Sequence, residues 1–232
     1  MLIMQQPQTP TTEFVSHYAD RFEEDDWSVA TDKALDLLFG AFPRNCRIEG
    51  VYLKVVALND LYSAQIRRGR KDASALYDLA KEICDLAIDE MLAKRLPQVV
   101  DKIAALRVGG KKCGYVFAAK YCHFHFPDDY PIYESSNVEP LVYAYQKSSG
   151  QKVSHKDLAE DYGKFKKAVE GLRNRHGLAG FCFRQFDKFL LGYGKDWKKL
   201  KTKTMSADAR EKIAVAQRAR WAKVKADQKK SA

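Results

Sequence analysis

The chain has 232 residues, 46% hydrophobic and 12% aromatic, which is enough apolar material for a packed core and excludes a wholly disordered protein. The formal charge of +10 is unevenly placed: residues 195–232 carry 13 Lys or Arg against four acids, or +9, whereas the preceding 194 residues carry 27 bases and 26 acids, or +1. No window offers 18 uninterrupted apolar residues and Met1 to Thr12 has neither a positive start nor an apolar run, so neither a membrane span nor a signal peptide is expected.

Along the chain, residues 1–11 are polar and interrupted by Pro7 and Pro10, as in a flexible arm. Phe14, Val15, Tyr18 and Phe22 recur at helical spacing, so a helix is expected over Thr12 to Glu24 with Thr12 as its cap. A second helix begins at Ser28 or Thr31 and ends at Gly40 and Pro43. Ile48 to Ile66 is apolar almost all round, which predicts a central helix. Leu76 to Leu92 is amphipathic and predicts one helix; Val99 to Leu106 predicts a short one ending at Gly109-Gly110. Further helices are expected at Tyr115 to Phe124 (stopped by Pro127), Ser135 to Gln146, Lys156 to His176 and Phe183 to Leu191. Nothing alternates with period two, so the fold class is all-α. The expected organisation is an arm (1–11), a helical domain (12–194), a linker (195–204) and a basic helical tail (205–232).

The stretch from Leu106 to Val138 is the most informative. It reads as helix, glycine hairpin, buried helix, Pro-terminated loop, and then an acid at the start of another helix. A Gly109-Gly110 hairpin lets backbone N–H groups approach a phosphate, with Lys111 and Lys112 adding charge; a plain turn between helices is the alternative. Val108-Gly109-Gly110-Lys111 and Pro131-Ile132-Tyr133-Glu134 resemble the hairpin and catalytic-acid motifs of the helix-hairpin-helix DNA glycosylases, most nearly their 8-oxoguanine DNA glycosylase-like branch. The resemblance is close over Leu106 to Val138 and loose over residues 50–195. It implies a helical glycosylase-like domain, Lys111 as the Schiff-base lysine and Glu134 as the acid that supports the developing oxocarbenium charge. The family acid is Asp, one methylene shorter than Glu134, and one residue fewer separates it from its proline.

Lys120 is the alternative nucleophile, because it follows Phe117-Ala118-Ala119 inside an apolar helix, where desolvation lowers an amine's pKa unless the chain snorkels to the surface. After base flipping, Tyr121, Phe124, Tyr130 and Tyr133 are candidates to line a base pocket, with ordinary core packing as the competing reading.

Cys122, His123, His125 and Asp128 hint at a metal, but zinc needs three or four converging ligands, so no metal and no other cofactor is expected. Cys46, Cys84, Cys113, Cys122 and Cys182 are widely spaced and form no C-x-x-C pair; they read as reduced thiols of a cytoplasmic, bacterial-type protein that could associate with the nucleoid.

In the tail, Ser206 caps an Ala-rich helix through Trp221, which resembles the short basic helical modules appended to bacterial nucleases and other DNA-binding proteins. That resemblance implies phosphate contacts from Arg210, Arg218 and Arg220, with Trp221 against a sugar or groove edge; a free, fraying helix is the alternative. Duplex DNA is therefore the expected partner and membrane is not. Three functional classes stay open: a base-excision enzyme, a non-catalytic DNA-binding module on the same fold, and a protein-interaction domain with a basic tail. Glu134 in place of Asp favours the second over the first, and the tail disfavours the third.

Overall fold

Helix follows helix in the computed structural model, which describes residues 6–62, 74–108 and 111–203, together with Glu211, Val215 and Arg218; Lys111 and 201–203 are described by backbone alone. By its packing the chain divides into Met1–Lys195 and Asp196–Ala232.

Helix α1 (Thr12–Glu23) is capped by Thr11 rather than Thr12, the Thr11 hydroxyl accepting the Phe14 N–H at 3.2 Å. The arm before it is not loose from residue 6 on. Gln8 donates its N–H to the Tyr193 hydroxyl at 2.8 Å and accepts the Tyr145 O–H at 2.6 Å, and Pro10 is buried. Helix α2 (Asp26–Ala41) begins earlier than Ser28, after Asp25, whose carboxylate takes the Ser28 hydroxyl at 2.5 Å. Helix α3 (Ile48–Leu61) buries Gly50, Val51, Lys54, Val55 and Leu58 but leaves Leu53 47% exposed, so it has an outer face that its uniform apolarity hid.

The single helix expected over Leu76 to Leu92 is two, α4 (Ser74–Asp85) and α5 (Asp89–Ala93), because Ala87 takes a left-handed φ of 48° that no helix can pass through. Helix α6 (Gln98–Ala105) then leads into a two-residue strand β1 (Arg107–Val108) paired antiparallel with β2 (Lys111–Lys112), Val108 opposite Lys111. The glycine hairpin is thus a small β-ribbon. Its Gly109 and Gly110 lie outside the described residues.

Helix α7 (Tyr115–His125) is buried without a break from Phe117 to Phe124 and packs against α2, α3 and α6. An all-round apolar helix is stable only at the centre of such a bundle, which is where α7 lies. Helix α8 (Val138–Ser148) starts three residues later than expected. Asp161 breaks the run expected over Lys156 to His176 into α9 (His155–Glu160) and α10 (Tyr162–Arg175), capping α10 by accepting the Lys164 N–H at 2.9 Å. Helix α11 (Phe183–Lys203) extends through most of the stretch read as a linker.

Helix α11 approaches the start of α8 at Gly194, where a methyl group would meet the Asn137 carbonyl oxygen at 2.9 Å. Gly194→Ala is therefore expected to cost about 2 kcal/mol by overpacking, measured by urea denaturation.

Candidate active site

Two buried lysines dominate the polar interior, and each follows a rule of helix termination. Lys54 on α3 is fully buried. Its ammonium donates to Phe42 O at 3.0 Å, Arg44 O at 3.3 Å and Asn45 Oδ1 at 2.7 Å, so it closes the carbonyl end of α2. Asn45 is itself held by Asp89 and also accepts the Tyr121 O–H at 2.5 Å. Burial lowers the Lys54 pKa to about 8, against the favourable charge of Asp89.

Lys120 on α7 is 5% exposed and closes α3 in the same way, donating to Tyr62 O at 2.9 Å while its ammonium lies 4.9 Å from the centre of the Tyr62 ring. Burial lowers its pKa to about 8 as well; Glu134 opposes that shift and Lys195 adds to it. The difference from Lys54 lies in what remains unused. Lys54 has an acceptor for each of three N–H groups, whereas Lys120 has one oxygen acceptor and no ion pair among the described residues.

Glu134 does not sit at the helix start. It occupies the turn before α8, where its carbonyl accepts the N–H groups of Val138 and Glu139. Its Oε1 takes the Ser136 N–H at 3.0 Å and the Ser136 hydroxyl at 2.6 Å, and its Oε2 is buried with no hydrogen-bond partner among the described residues. A carboxylate oxygen shielded from water and left unpaired, with an amine close enough to feel its charge, is an arrangement that folding alone does not favour.

The loop that delivers Glu134 is fixed one residue at a time. The His123 Nδ1–H donates to Tyr130 O at 2.9 Å, which sets that tautomer; the Tyr162 hydroxyl donates to Pro131 O at 2.7 Å; the Ile132 N–H donates to Asp187 Oδ2 at 2.9 Å. Tyr133 then packs edge-on against Tyr115 and Phe165.

Of the residues singled out from the sequence, Glu134 bears on Lys120 through its charge, which opposes the lowering of the Lys120 pKa, without an ion pair between them. Lys112 is exposed on β2, while the Lys111 side chain lies outside the described residues, as do Gly109, Gly110, Arg210, Arg220 and Trp221. Arg218 pairs with Glu211 at 3.0 Å. The supposed base pocket is core. Tyr121 and Tyr130 are fully buried, and Phe124 and Tyr133 are 5% exposed, Phe124 packing against Tyr62 and Phe39. None of these rings offers a face on which a flipped base could stack. Cys122 is buried, His123 is committed to Tyr130, and His125 turns to Asn45 and Lys54; among the described residues no three His, Cys, Asp or Glu converge as a metal site. No helix among the described residues is long and apolar enough to cross a membrane.

Sequence reasoning passed over Tyr62, Lys54 and Asp187. The last two carried the signal that flagged Lys120, a charge inside an apolar run: Val51-Tyr52-Leu53-Lys54-Val55-Val56 and Phe186-Asp187-Lys188-Phe189.

The family model HI_0787_N, described as an N-terminal domain, matches residues 14–129, half of the chain. The chain belongs to this family. The HI_0787_N match spans α1 to α7 and therefore includes both buried lysines, and it ends five residues before Glu134. An uncharacterized protein of Haemophilus influenzae is 29% identical over 151 residues, covering 64% of this chain and 68% of that protein. No solved structure matches.

Proposed function

We propose that the chain binds DNA and excises a modified base, with Lys120 as the nucleophilic amine and Glu134 as the carboxylate that stabilises the reacting sugar. The observation that carries this reading is a buried lysine with one oxygen acceptor among the described residues, whose pKa is raised by the charge of a carboxylate whose Oε2 is buried without a partner among them. It moves the Schiff-base role from Lys111 to Lys120 within the helix-hairpin-helix glycosylase reading of the sequence. The neutral Lys120 amine attacks C1′ as the glycosidic bond breaks, and the base leaves with the bonding pair and takes up a proton. Positive charge at C1′ and the ring oxygen is stabilised by Glu134. Loss of the amine proton and opening of the sugar ring give a C1′=N imine, which borohydride reduces to a stable protein–DNA adduct.

A second reading has one observation of its own. Lys54 shows that this fold uses a buried lysine purely to close a helix, and Lys120 could do the same in a DNA-binding protein without chemistry. The two are separated by incubating the full chain with duplexes bearing oxidised or alkylated bases and an abasic site, then adding borohydride. A covalent adduct supports excision, and its absence across the panel leaves the non-catalytic reading.

In both readings the basic tail supplies affinity through phosphate neutralisation and counterion release. Replacing Arg210, Arg218 and Arg220 by Gln in the full chain is expected to weaken duplex binding. The log–log salt slope should fall by about 0.9 for each phosphate no longer neutralised, measured by fluorescence anisotropy. An unchanged slope removes these arginines from the interface.

A further inference from the structure

Three helices hold the loop before Glu134 through its backbone: α7 by His123 on Tyr130 O, α10 by Tyr162 on Pro131 O, and α11 by Asp187 on Ile132 N. Of these, Asp187 is the one whose presence packing does not explain. It is 2% exposed, lies between Phe186 and Phe189, and its Oδ1 has no hydrogen-bond partner among the described residues. Its Oδ2 lies 3.5 Å from His123 Nδ1, whose proton is already given to Tyr130 O. Burying an acid for a single backbone N–H is costly, and a leucine would fill the space more cheaply.

Resting on the excision reading, we infer that Asp187 is a positioning residue: by holding the Ile132 N–H two residues before Glu134, it fixes the reach of the Glu134 carboxylate toward Lys120. Glu134 cannot set that reach by itself, because its hydrogen bonds among the described residues, to Ser136 and the first amides of α8, all go to residues that follow it in the chain. The position before it must be fixed from elsewhere, and Ile132 is the only backbone N–H among the three clamped groups.

Burial pushes the Asp187 carboxyl well above the usual carboxylate range, past the opposing effects of the Ile132 N–H and of Arg173 on α10, and Asp32 on α2 adds to the rise. The group is thereby driven toward the neutral acid, for which an asparagine is the closest substitute. His123 matches it, since burial lowers the imidazole to about 4 and keeps it neutral.

The test uses the full chain carrying [13Cε]lysine, with the Lys120 resonance assigned by Lys120→Arg. Because Glu134 raises the Lys120 pKa, releasing the loop should lower it. In Asp187→Ala the Lys120 titration midpoint is expected to move down by about half a pH unit or more. In Asp187→Asn, which keeps an acceptor for Ile132, it should stay where the parent has it. Alongside this, single-turnover adduct formation should fall about 10- to 100-fold in the alanine variant with DNA affinity unchanged, as for misplaced catalytic geometry, and return in the asparagine variant.

An unmoved midpoint in a folded Asp187→Ala protein overturns the assignment, as does a midpoint displaced equally by Asn and Ala. If Asp187→Ala does not fold, Tyr162→Phe releases the neighbouring carbonyl with almost no change of shape; a lowered midpoint there, retained in Asp187→Asn, supports the clamp, and an unmoved one overturns it. The midpoint needs no DNA, so a shift found in a protein that yields no adduct would uphold the positioning role while rejecting excision.

Discussion

Replacing Lys120 by methionine is expected to abolish the borohydride-trapped adduct, while Lys111→Ala should leave it within a few-fold of the parent. Methionine fills the volume of the lysine stem and removes only the amine, so loss of the adduct with DNA affinity retained assigns chemistry rather than folding. The expected loss is at least about 1,000-fold, because no other amine substitutes for a positioned nucleophile. The pH dependence carries a sign. A lysine at its ordinary 10.5 is neutral in about 0.03% of molecules at pH 7, whereas one held at about 8 is neutral in about 10%. Single-turnover rate should therefore rise with pH from 6 and level off above about 8. A rate that keeps climbing to pH 10, or an adduct that survives Lys120→Met, would sink the assignment.

Lys54→Met is expected to lower stability by about 3 kcal/mol at pH 7 and, on the excision reading, to leave adduct formation unchanged where the protein is folded. Methionine leaves Phe42 O and Arg44 O without this donor, and each buried acceptor left unpaired costs about 1–3 kcal/mol, whereas Asn45 Oδ1 keeps the Tyr121 hydroxyl. Between pH 8 and 10 the folded protein holds fewer protons on Lys54 than the unfolded chain does, so stability rises with pH there. That contribution is about 2 kcal/mol between pH 7.5 and 9.5 and is missing in Lys54→Met. The thiols of half-buried Cys113 and buried Cys122, pushed up by desolvation, act with the opposite sign in both proteins, so the difference reports on Lys54. Urea denaturation at the two pH values checks it, and equal pH dependence in both proteins would count against a charged, buried Lys54.

Helical character was legible because apolar residues at helical spacing leave little choice of secondary structure, and α1, α3, α6 and α7 begin within a residue of where the pattern puts them. What periodicity could not register was local backbone chemistry. Ala87 breaks one expected helix by a left-handed φ that an alanine seldom adopts, and Asp161 breaks another by preferring to cap. The candidate site was half legible. Glu134 and Lys120 stood out, one by motif and one as a charge in an apolar run. The aromatic residues around them were overread as a pocket, since a ring that packs the core and a ring that stacks a base look alike in sequence. Tyr62 was invisible because it acts through its carbonyl, which every residue possesses.

The backbone clamp on residues 130–132 shifts the evolutionary constraint away from the loop itself. His123, Tyr162 and Asp187 grip two carbonyls and one amide, groups that survive most side-chain replacements at the gripped positions. Relatives are thus expected to vary at 131 and 132 while the loop keeps its path, provided that position 132 is not proline, which has no amide hydrogen to give. The durable signature of this site would then be three side chains on three helices, spread over 65 positions of sequence from His123 to Asp187, and short motif patterns would pass over it.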